Sequence, residues 1–179
     1  IRNQFEANVF GLMNVTKAAL PNMRQAQGGV IINLSSIAGR VSMPYFSLYN
    51  ASKYAVEGLS ESLQYELAPF GIKLKLIEPG AYATDFGGRS MGFFGHGDMA
   101  AYQDTFNHFI ENAMSNMAQN PNIQEVVELI YEAATSNDEK LRYPVGDDAT
   151  QMLEARAQMS DEDFKHMLAE RLGFPAASA

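Results

Sequence analysis

A tyrosine and a lysine stand four residues apart in the stretch SLYNASKYAVEG, residues 47–58. On a helix this spacing places Tyr49 and Lys53 on one face, one turn apart. An ammonium about 4 Å from a phenolate interacts with it by roughly 4 kcal/mol at an effective dielectric constant near 20. Since one pKa unit corresponds to about 1.4 kcal/mol, we expect the pKa of Tyr49 to fall from about 10 toward about 7. Such a phenol can take a proton from an alcohol or return one to a carbonyl oxygen.

Ser36 supplies a second polar group for the same chemistry. It lies upstream of Tyr49 at the end of an apolar run, and its hydroxyl can hold the oxygen of an alcohol or ketone. The alternative is a surface Tyr–Lys pair, which contributes a few tenths of a kcal/mol, and a serine that only ends a strand. The residues NASK within the stretch, and Pro79 and Gly80 after the next apolar run, favour catalysis.

Apolar periodicity predicts the elements that position these residues. We expect helices over residues 1–23, 49–69 and 122–136, a polar helical tail over about 149–173, and strands at 30–34, within 70–80 and at 141–146. The alternation of helices with buried strands is typical of an α/β protein with a parallel sheet and right-handed crossovers. We predict a single domain over 1–179, with ligands at the carboxyl ends of the strands.

The composition excludes several classes of protein. Hydrophobic residues make up 46% of the 179 residues, which is typical of a globular chain, and no apolar run approaches the roughly 18 residues of a membrane span. A net charge of −8 without a basic patch argues against nucleic-acid binding. The sequence contains no cysteine, which fits a reducing, cytoplasmic compartment. His96, His108 and His166 show no metal-ligand spacing, so we expect no metal site.

Five short motifs together resemble the short-chain dehydrogenase/reductase family. They are NVFG at 8–11, NLSS at 33–36, YNASK at 49–53, PGAYAT at 79–84 and LRYPVG at 141–146, and the similarity runs from residue 1 to about 150. The resemblance implies a Rossmann-like NAD(P)-binding fold, of which this chain is the nicotinamide and catalytic portion. It also implies NAD or NADP as cofactor and a small-molecule alcohol or ketone as substrate.

By position, the resemblance assigns a role to each candidate residue. Tyr49 is the general acid/base, and Lys53 lowers its pKa and binds the nicotinamide ribose. Ser36 orients the substrate oxygen, and Asn8 holds the water of a proton relay to Lys53. The residues expected to contact the cofactor are Tyr49, Lys53, Pro79, Gly80, Tyr82 and Thr84.

The family's glycine-rich phosphate loop has no counterpart in the expected place. That loop lets the backbone and a helix N-terminus bind the pyrophosphate. GHGDMA, residues 95–100, fits G-x-G-x-x-A but follows no strand, so we interpret it as a chance match. We expect an upstream region to carry the loop and the residue that selects NAD or NADP. We therefore expect the 179-residue chain alone to bind either dinucleotide weakly, and its first strand to be a sheet edge.

Residues 81–120 correspond to the substrate loop of the family. They are rich in large side chains, namely Phe86, Met91, Phe93, Phe94, Met99, Tyr102, Phe106 and Phe109. Flexible methionines and aromatic rings suit a bulky apolar substrate, and the glycines at 87, 88, 92, 95 and 97 suit a hinged lid. The alternative is that several of these side chains belong to the core.

Three functions are open at this point. The first is an oxidoreductase, which NASK and PGAYAT favour. The second is a nucleotide-sugar epimerase or dehydratase, which uses the same Tyr-x-x-x-Lys pair. The third is a non-catalytic module for binding or assembly. Helices 1–23 and 49–68 carry apolar residues beyond one stripe and correspond to the family's dimer-forming pair, so we expect a homo-oligomer through them.

Overall fold

Three parallel strands form the sheet of the computed structural model, which describes residues 1–87, 100–119 and 121–174. The strands are β1 (Gly29–Leu34), β2 (Ile72–Pro79) and β3 (Arg142–Val145), in that order across the sheet. Gly29 to Leu34 pair with Ile72 to Ile77, and Leu76 to Pro79 pair with Arg142 to Val145. The predicted parallel α/β sheet is confirmed.

The N-terminal helical segment contains a local change of winding. Helix α1 (Arg2–Phe5) passes through a π-helical turn (Glu6–Phe10) into α2 (Gly11–Ala26). Single π turns are rare in proteins, but those that occur are often found at functional sites. This one carries Asn8. The helix continues past Pro21 and ends at Gln27, which adopts a left-handed conformation with φ 52°. The predicted end at Met23 is therefore three residues short.

Helix α3 (Ser47–Leu67) is the longest described element and continues into a 3₁₀ turn, Ala68–Phe70. It begins two residues before the predicted start. The buried positions of α3 include Asn50, Ser52 and Ser60, so the helix buries a mixed rather than a purely apolar face. Asn33 of β1 donates a hydrogen bond to the Ser60 hydroxyl at 2.9 Å, which satisfies both groups inside the protein.

Helices cover both faces of the sheet, because successive residues of β2 point in opposite directions. Ile72 and Leu74 pack with Leu67 of α3. Ile77 packs with Val126 and Ala133 of α5 (Gln124–Thr135). Side chains of α6 (Asp147–Gln158) and α7 (Asp161–Arg171) form a third cluster with those of the 3₁₀ turn after β1; its members are Ile37, Val41, Ala149, Met152, Leu153 and Phe164.

The substrate loop differs from its prediction, whereas the helical tail contains the N-terminal cap that SDEDF, residues 160–164, predicts. The substrate loop contains a 20-residue helix, α4 (Ala100–Gln119), because its second half lacks the glycines that interrupt the first half. The helical tail is two helices, α6 and α7, and Ser160 begins the second by accepting a hydrogen bond from the Asp163 N–H at 3.1 Å. Met91, Phe93, Phe94, Met99, GHGDM at 95–99 and the glycines at 88, 92, 95 and 97 lie outside the described residues.

Candidate active site

The carboxyl end of β1 brings Ser36 and Lys53 together. Ser36 follows the strand and accepts a hydrogen bond from the Ala38 N–H at 3.1 Å, which fixes the start of the 3₁₀ turn Ile37–Gly39. Lys53 reaches the same strand end, where its Nζ donates to the Leu34 carbonyl at 2.9 Å. Helix α3 carries Lys53 and Tyr49 one turn apart, so the sheet and the helix jointly determine the geometry.

Tyr49 lies between this polar group and two aromatic rings. Its ring centroid is 6.0 Å from that of Phe46 and 5.3 Å from that of Phe86. Burial raises the pKa of Tyr49 above its usual value, and a hydrogen bond with Ser36 partly opposes the effect. The Ser36 hydroxyl therefore lies near Tyr49, and burial keeps the phenol protonated at neutral pH.

The expected effect of Lys53 on Tyr49 is wrong for this arrangement. The Lys53 Nζ is 5.7 Å from the Tyr49 ring centroid and donates to the Leu34 carbonyl instead. Burial lowers the pKa of Lys53 to about 8, and the nearby Glu57 carboxylate partly opposes this shift. The expectation assumed an ammonium close to the phenolic oxygen of Tyr49. In the structure the Lys53 ammonium is instead bonded to the carbonyl at the end of β1.

Asn8 reaches the catalytic helix through an intermediate residue. Its Nδ2 donates to the Ser52 hydroxyl at 3.0 Å, and that hydroxyl donates to the Tyr49 carbonyl at 2.7 Å. Ser52 is fully buried. The sequence analysis did not single out Ser52, although it is the serine of NASK and lies one turn after Tyr49. The water relay from Asn8 to Lys53 stays a prediction.

Pro79 and Gly80 end β2 beside Asp148, another residue that the sequence analysis missed. The Asp148 carboxylate accepts a hydrogen bond from the Ala81 N–H at 2.8 Å. A Cβ at Gly80 would lie 2.1 Å from the Asp148 Oδ1, so only glycine fits this turn. Asp148 lies 67 residues from Ala81, and no local pattern connects the two.

Tyr82 and Thr84 differ in what they offer a cofactor. The Tyr82 side chain packs against Ile77 and Val126, is 6% exposed, and donates a hydrogen bond to Glu125. Its side chain is thus part of the core, and a contact of Tyr82 with the cofactor stays a prediction. Thr84 is exposed, and its hydroxyl accepts a hydrogen bond from the Phe86 N–H at 3.3 Å. Thr84 is thus held close in the chain to Phe86, whose ring contacts Tyr49, and its contact with the cofactor stays a prediction.

Aromatic side chains from three segments surround the approach to Tyr49. The Phe46 ring lies 5.6 Å from that of Phe109, and the Tyr45 ring lies 5.2 Å from that of Phe106 and 5.9 Å from that of Phe174. Phe109 is only 1% exposed, which supports the core interpretation for that residue. A cavity of about 460 Å³ borders this aromatic cluster at Tyr45 and is lined elsewhere mainly by residues of α3 and the preceding loop.

Neither a metal cluster nor a membrane span occurs in the described part of the chain. No group of three or more acidic or histidine side chains there could hold a metal ion. No described helix is long and apolar enough to cross a bilayer.

Several known proteins are similar to this chain in sequence. The family model of the short chain dehydrogenases matches residues 1–91. The uncharacterized oxidoreductase YusZ of Bacillus subtilis is 45% identical over 148 residues, which are 81% of this chain and 53% of that protein. An uncharacterized oxidoreductase of Schizosaccharomyces pombe is 38% identical over 92% of this chain and 68% of its own length. Human retinol dehydrogenase 8 is 33% identical over 79% of this chain and 48% of its own length.

Solved structures show the same fold. A short-chain dehydrogenase from Streptomyces avermitilis superposes with a TM-score of 0.76 at 33% identity, over 94% of this chain and 59% of that one. A short-chain dehydrogenase from Burkholderia cenocepacia, in complex with NADP, superposes with a TM-score of 0.68 at 24% identity, over 97% of this chain and 59% of that one. The chain thus spans about half to two thirds of the proteins it matches. Its fold is Rossmann-like, and it belongs to the short-chain dehydrogenase family, whose members use NAD or NADP.

Proposed function

We propose that the protein is a cytoplasmic, nicotinamide-dependent oxidoreductase that interconverts an alcohol and a ketone. The observation that carries this proposal is the meeting of Ser36, Tyr49 and Lys53 at the carboxyl end of β1. The Ser36 hydroxyl lies near enough to Tyr49 to lower its pKa, and Lys53 donates a hydrogen bond to the carbonyl of the last residue of the strand. In open parallel sheets this is the end at which ligands bind.

The donor set fits the ribose end of a nicotinamide dinucleotide. Lys53 brings an ammonium with three N–H donors, one of which is directed to the Leu34 carbonyl, so others are available for ribose hydroxyls. At the end of β2 the Asp148 carboxylate occupies the space that a Cβ of Gly80 would take, so it holds the backbone beside this donor set in place. When bound, the dinucleotide supplies or accepts the hydride.

The side chains of this protein manage the proton and the position of the substrate oxygen. Ser36 and Tyr49 would both hydrogen-bond that oxygen. The raised pKa of Tyr49 keeps its proton on the phenol, so Tyr49 is poised to donate it to a carbonyl oxygen. In the reverse direction Tyr49 must first lose its own proton to solvent, a loss that a Lys53 ammonium brought closer to the phenolic oxygen would favour. The resulting phenolate would then accept the alcohol proton.

We infer a bulky, apolar substrate from the rings next to Tyr49. Phe86 and Phe46 contact it directly, and Phe109 supports Phe46 from behind. Such walls bind large hydrophobic ligands with a few polar groups for orientation. The name of one relative, retinol dehydrogenase 8, refers to an alcohol of this kind.

The experiment is the removal of one hydroxyl. Tyr49→Phe should reduce turnover of the full-length protein on apolar alcohols and ketones by roughly 10²–10⁴, because the acid/base group is lost. Tyr54→Phe is the matched control, since it removes a hydroxyl from an exposed ring of the same helix. Turnover of Tyr49→Phe within a few-fold of the parent would contradict the proposed role.

We also propose a homo-oligomer formed through α2 and α3. Both helices expose large apolar side chains, with Val15 71% and Tyr65 72% exposed. A stable contact would bury on the order of 1,000 Å² or more. Leu63 packs in the core beside Leu67, so Val15→Lys with Tyr65→Lys is the appropriate test. Light scattering should show a smaller species for the double variant, and a monomeric parent would contradict the proposal.

A further inference from the structure

A charged cluster lies between α3 and the sheet, one helical turn beyond Lys53. It contains three carboxylates and two guanidinium groups, contributed by α3, β2, β3 and the turn after β1; the residues are Arg40, Glu57, Glu61, Glu78 and Arg142. If every group were ionised, the cluster would carry one excess negative charge. Glu78 is 0% exposed and Glu57 is 5% exposed, so water screens this charge poorly.

Glu57 and Glu78 share a single nitrogen of Arg142. The Arg142 Nε is 3.0 Å from the Glu57 Oε2 and 3.7 Å from the Glu78 Oε1. Arg40, which is substantially exposed, lies with its Nη1 3.7 Å from the Glu78 Oε1. The Arg142 Nη2 donates to the Glu61 carboxylate at 2.5 Å. Both arginines therefore form ion pairs with Glu78 at 3.7 Å, a distance longer than that of a hydrogen bond.

Three buried carboxyl oxygens in this cluster lack a hydrogen-bond partner. They are the Glu57 Oε1 and both oxygens of Glu78. Gly39 closes the site from the other side, where a Cβ would lie 2.8 Å from the Glu57 Cγ. A buried carboxylate without hydrogen bonds is costly in free energy, and a proton on one of two neighbouring carboxyl groups removes one of the two buried charges.

We propose that Glu57 and Glu78 hold one proton between them, and that this proton sets the charge one helical turn from Lys53. The pair is thus a positioning site for the acid/base machinery; only this second half of the inference rests on the proposed function. Burial and, after it, the Glu57 carboxylate raise the pKa of Glu78 to about 7, against the opposing effect of Arg40 and Arg142. Burial lowers the pKa of Lys53 to about 8, and Glu57 opposes this second shift.

The charges of the two sites are coupled in a defined direction. Below about pH 7 the pair retains its proton, and the cluster is neutral. When the proton leaves, the new negative charge favours the ammonium form of Lys53. Loss of the shared proton therefore helps to keep Lys53 charged as the pH approaches the value at which the lysine would deprotonate.

The shared proton can be tested without turnover. Because Glu78 binds its proton more tightly in the folded than in the unfolded protein, stability should fall as the pH rises from about 5 to 7. One extra bound proton changes the unfolding equilibrium constant by up to about tenfold per pH unit. Urea unfolding at several pH values should show that Glu78→Gln removes most of this slope.

The matched control is Glu61→Gln, which alters an exposed carboxylate on the same arginine and should leave the slope unchanged. An equal slope in the parent and Glu78→Gln would overturn the proposal. Should Glu78→Gln not fold, ¹³C NMR of the glutamate carboxyl groups in the unmodified protein decides the question. A carboxyl that titrates near pH 7 supports the shared proton, and the absence of one overturns it.

The coupling to Lys53 has its own measurement. NMR titration of the Lys53 ε-carbon should give a lower pKa in Glu57→Gln than in the parent, and an unchanged pKa in Glu61→Gln. In the active protein, the alkaline limb of the pH–rate profile should shift by the same amount as the Lys53 pKa. An unchanged Lys53 titration in Glu57→Gln would overturn the coupling, whether or not the protein turns over an alcohol or ketone.

Discussion

Two lysines that are not exposed, Lys53 and Lys75, lie over tyrosine rings with similar geometry and different chemistry. The Lys53 Nζ lies 5.7 Å from the Tyr49 ring centroid, and the Lys75 Nζ lies 5.2 Å from that of Tyr143. Lys75 is fully buried and contacts Asp138 at 3.0 Å, and the Tyr143 hydroxyl donates to the same carboxylate. Lys53 has a backbone carbonyl as its nearest acceptor and an exposed strand end beside it.

The pKa values of the two lysines differ because Lys75 is bonded directly to a carboxylate and Lys53 is not. Burial alone would lower the pKa of Lys75, but hydrogen bonds with Tyr143 and Asp138 outweigh it and raise the pKa. Lys53 has only a Coulomb contribution from Glu57, so burial dominates and its pKa falls to about 8. A complete ion pair makes Lys75 a structural cation, whereas an incomplete one leaves Lys53 able to change its charge near neutral pH.

The largest expected difference between the pairs is in turnover. Lys53→Met should lower the turnover of the full-length protein by roughly 10²-fold or more, because the group that supports the Tyr49 proton is lost. Lys75→Met should change turnover by less than a few-fold, since Asp138 can turn toward water. Steady-state kinetics and thermal melting of both variants measure this. Equal losses of turnover at equal stability would contradict the distinction.

The next difference is in chemical reactivity at constant protein structure. At about pH 7.5 a lysine with a pKa of about 8 is neutral far more often than one with the usual pKa near 10.4, by a factor of roughly 10². Trace acetylation followed by peptide mass spectrometry should therefore modify Lys53 before Lys75. Lys17, which is exposed, provides the reference for an accessible lysine. Faster labelling of Lys75 than of Lys53 would contradict the prediction that Lys53 is the lysine with the lowered pKa.

Sequence separation explains why only one pair could be predicted. Tyr49 and Lys53 are four residues apart on one helix, so periodicity alone places them together. Lys75 and Tyr143 come from different strands, and β2 appeared from the sequence to be an apolar run interrupted by lysines. The same limit applies to Asp148, which meets Gly80 only after the sheet has formed.

The fold was more predictable than the details of the site. The three strands were recognised because each is a short apolar run near a glycine or proline. Helix α4 was harder to predict, because aromatic and methionine residues also suit a substrate loop and the glycines before residue 100 favour a loop. The sign of the Tyr49 pKa shift was missed because burial depends on rings contributed by distant segments, Phe86 among them.

The smallest expected difference concerns stability in acid. The Tyr143 hydroxyl and the Lys75 ammonium hold the pKa of Asp138 below its usual range. A carboxyl with a lowered pKa in the folded state contributes stability above its unfolded pKa of about 3.9, and this contribution is lost as the pH falls further. Asp138→Asn should therefore flatten the loss of stability below about pH 4, by up to tenfold per pH unit in the unfolding equilibrium constant.

Glu139→Gln is the control, because Glu139 is highly exposed and makes only a long contact with Lys73. Urea unfolding between about pH 3 and 5 compares the three proteins. The sign is opposite to that expected for Glu78, whose raised pKa favours the folded state at lower pH. Asp138 and Glu78 thus report on the two faces of the sheet separately. Asp138 lies beside Lys75 and Tyr143, and Glu78 lies near Glu57 on the face that carries Lys53. An unchanged acid limb in Asp138→Asn would mean that Lys75 does not depend on its carboxylate, and the contrast with Lys53 would need another cause.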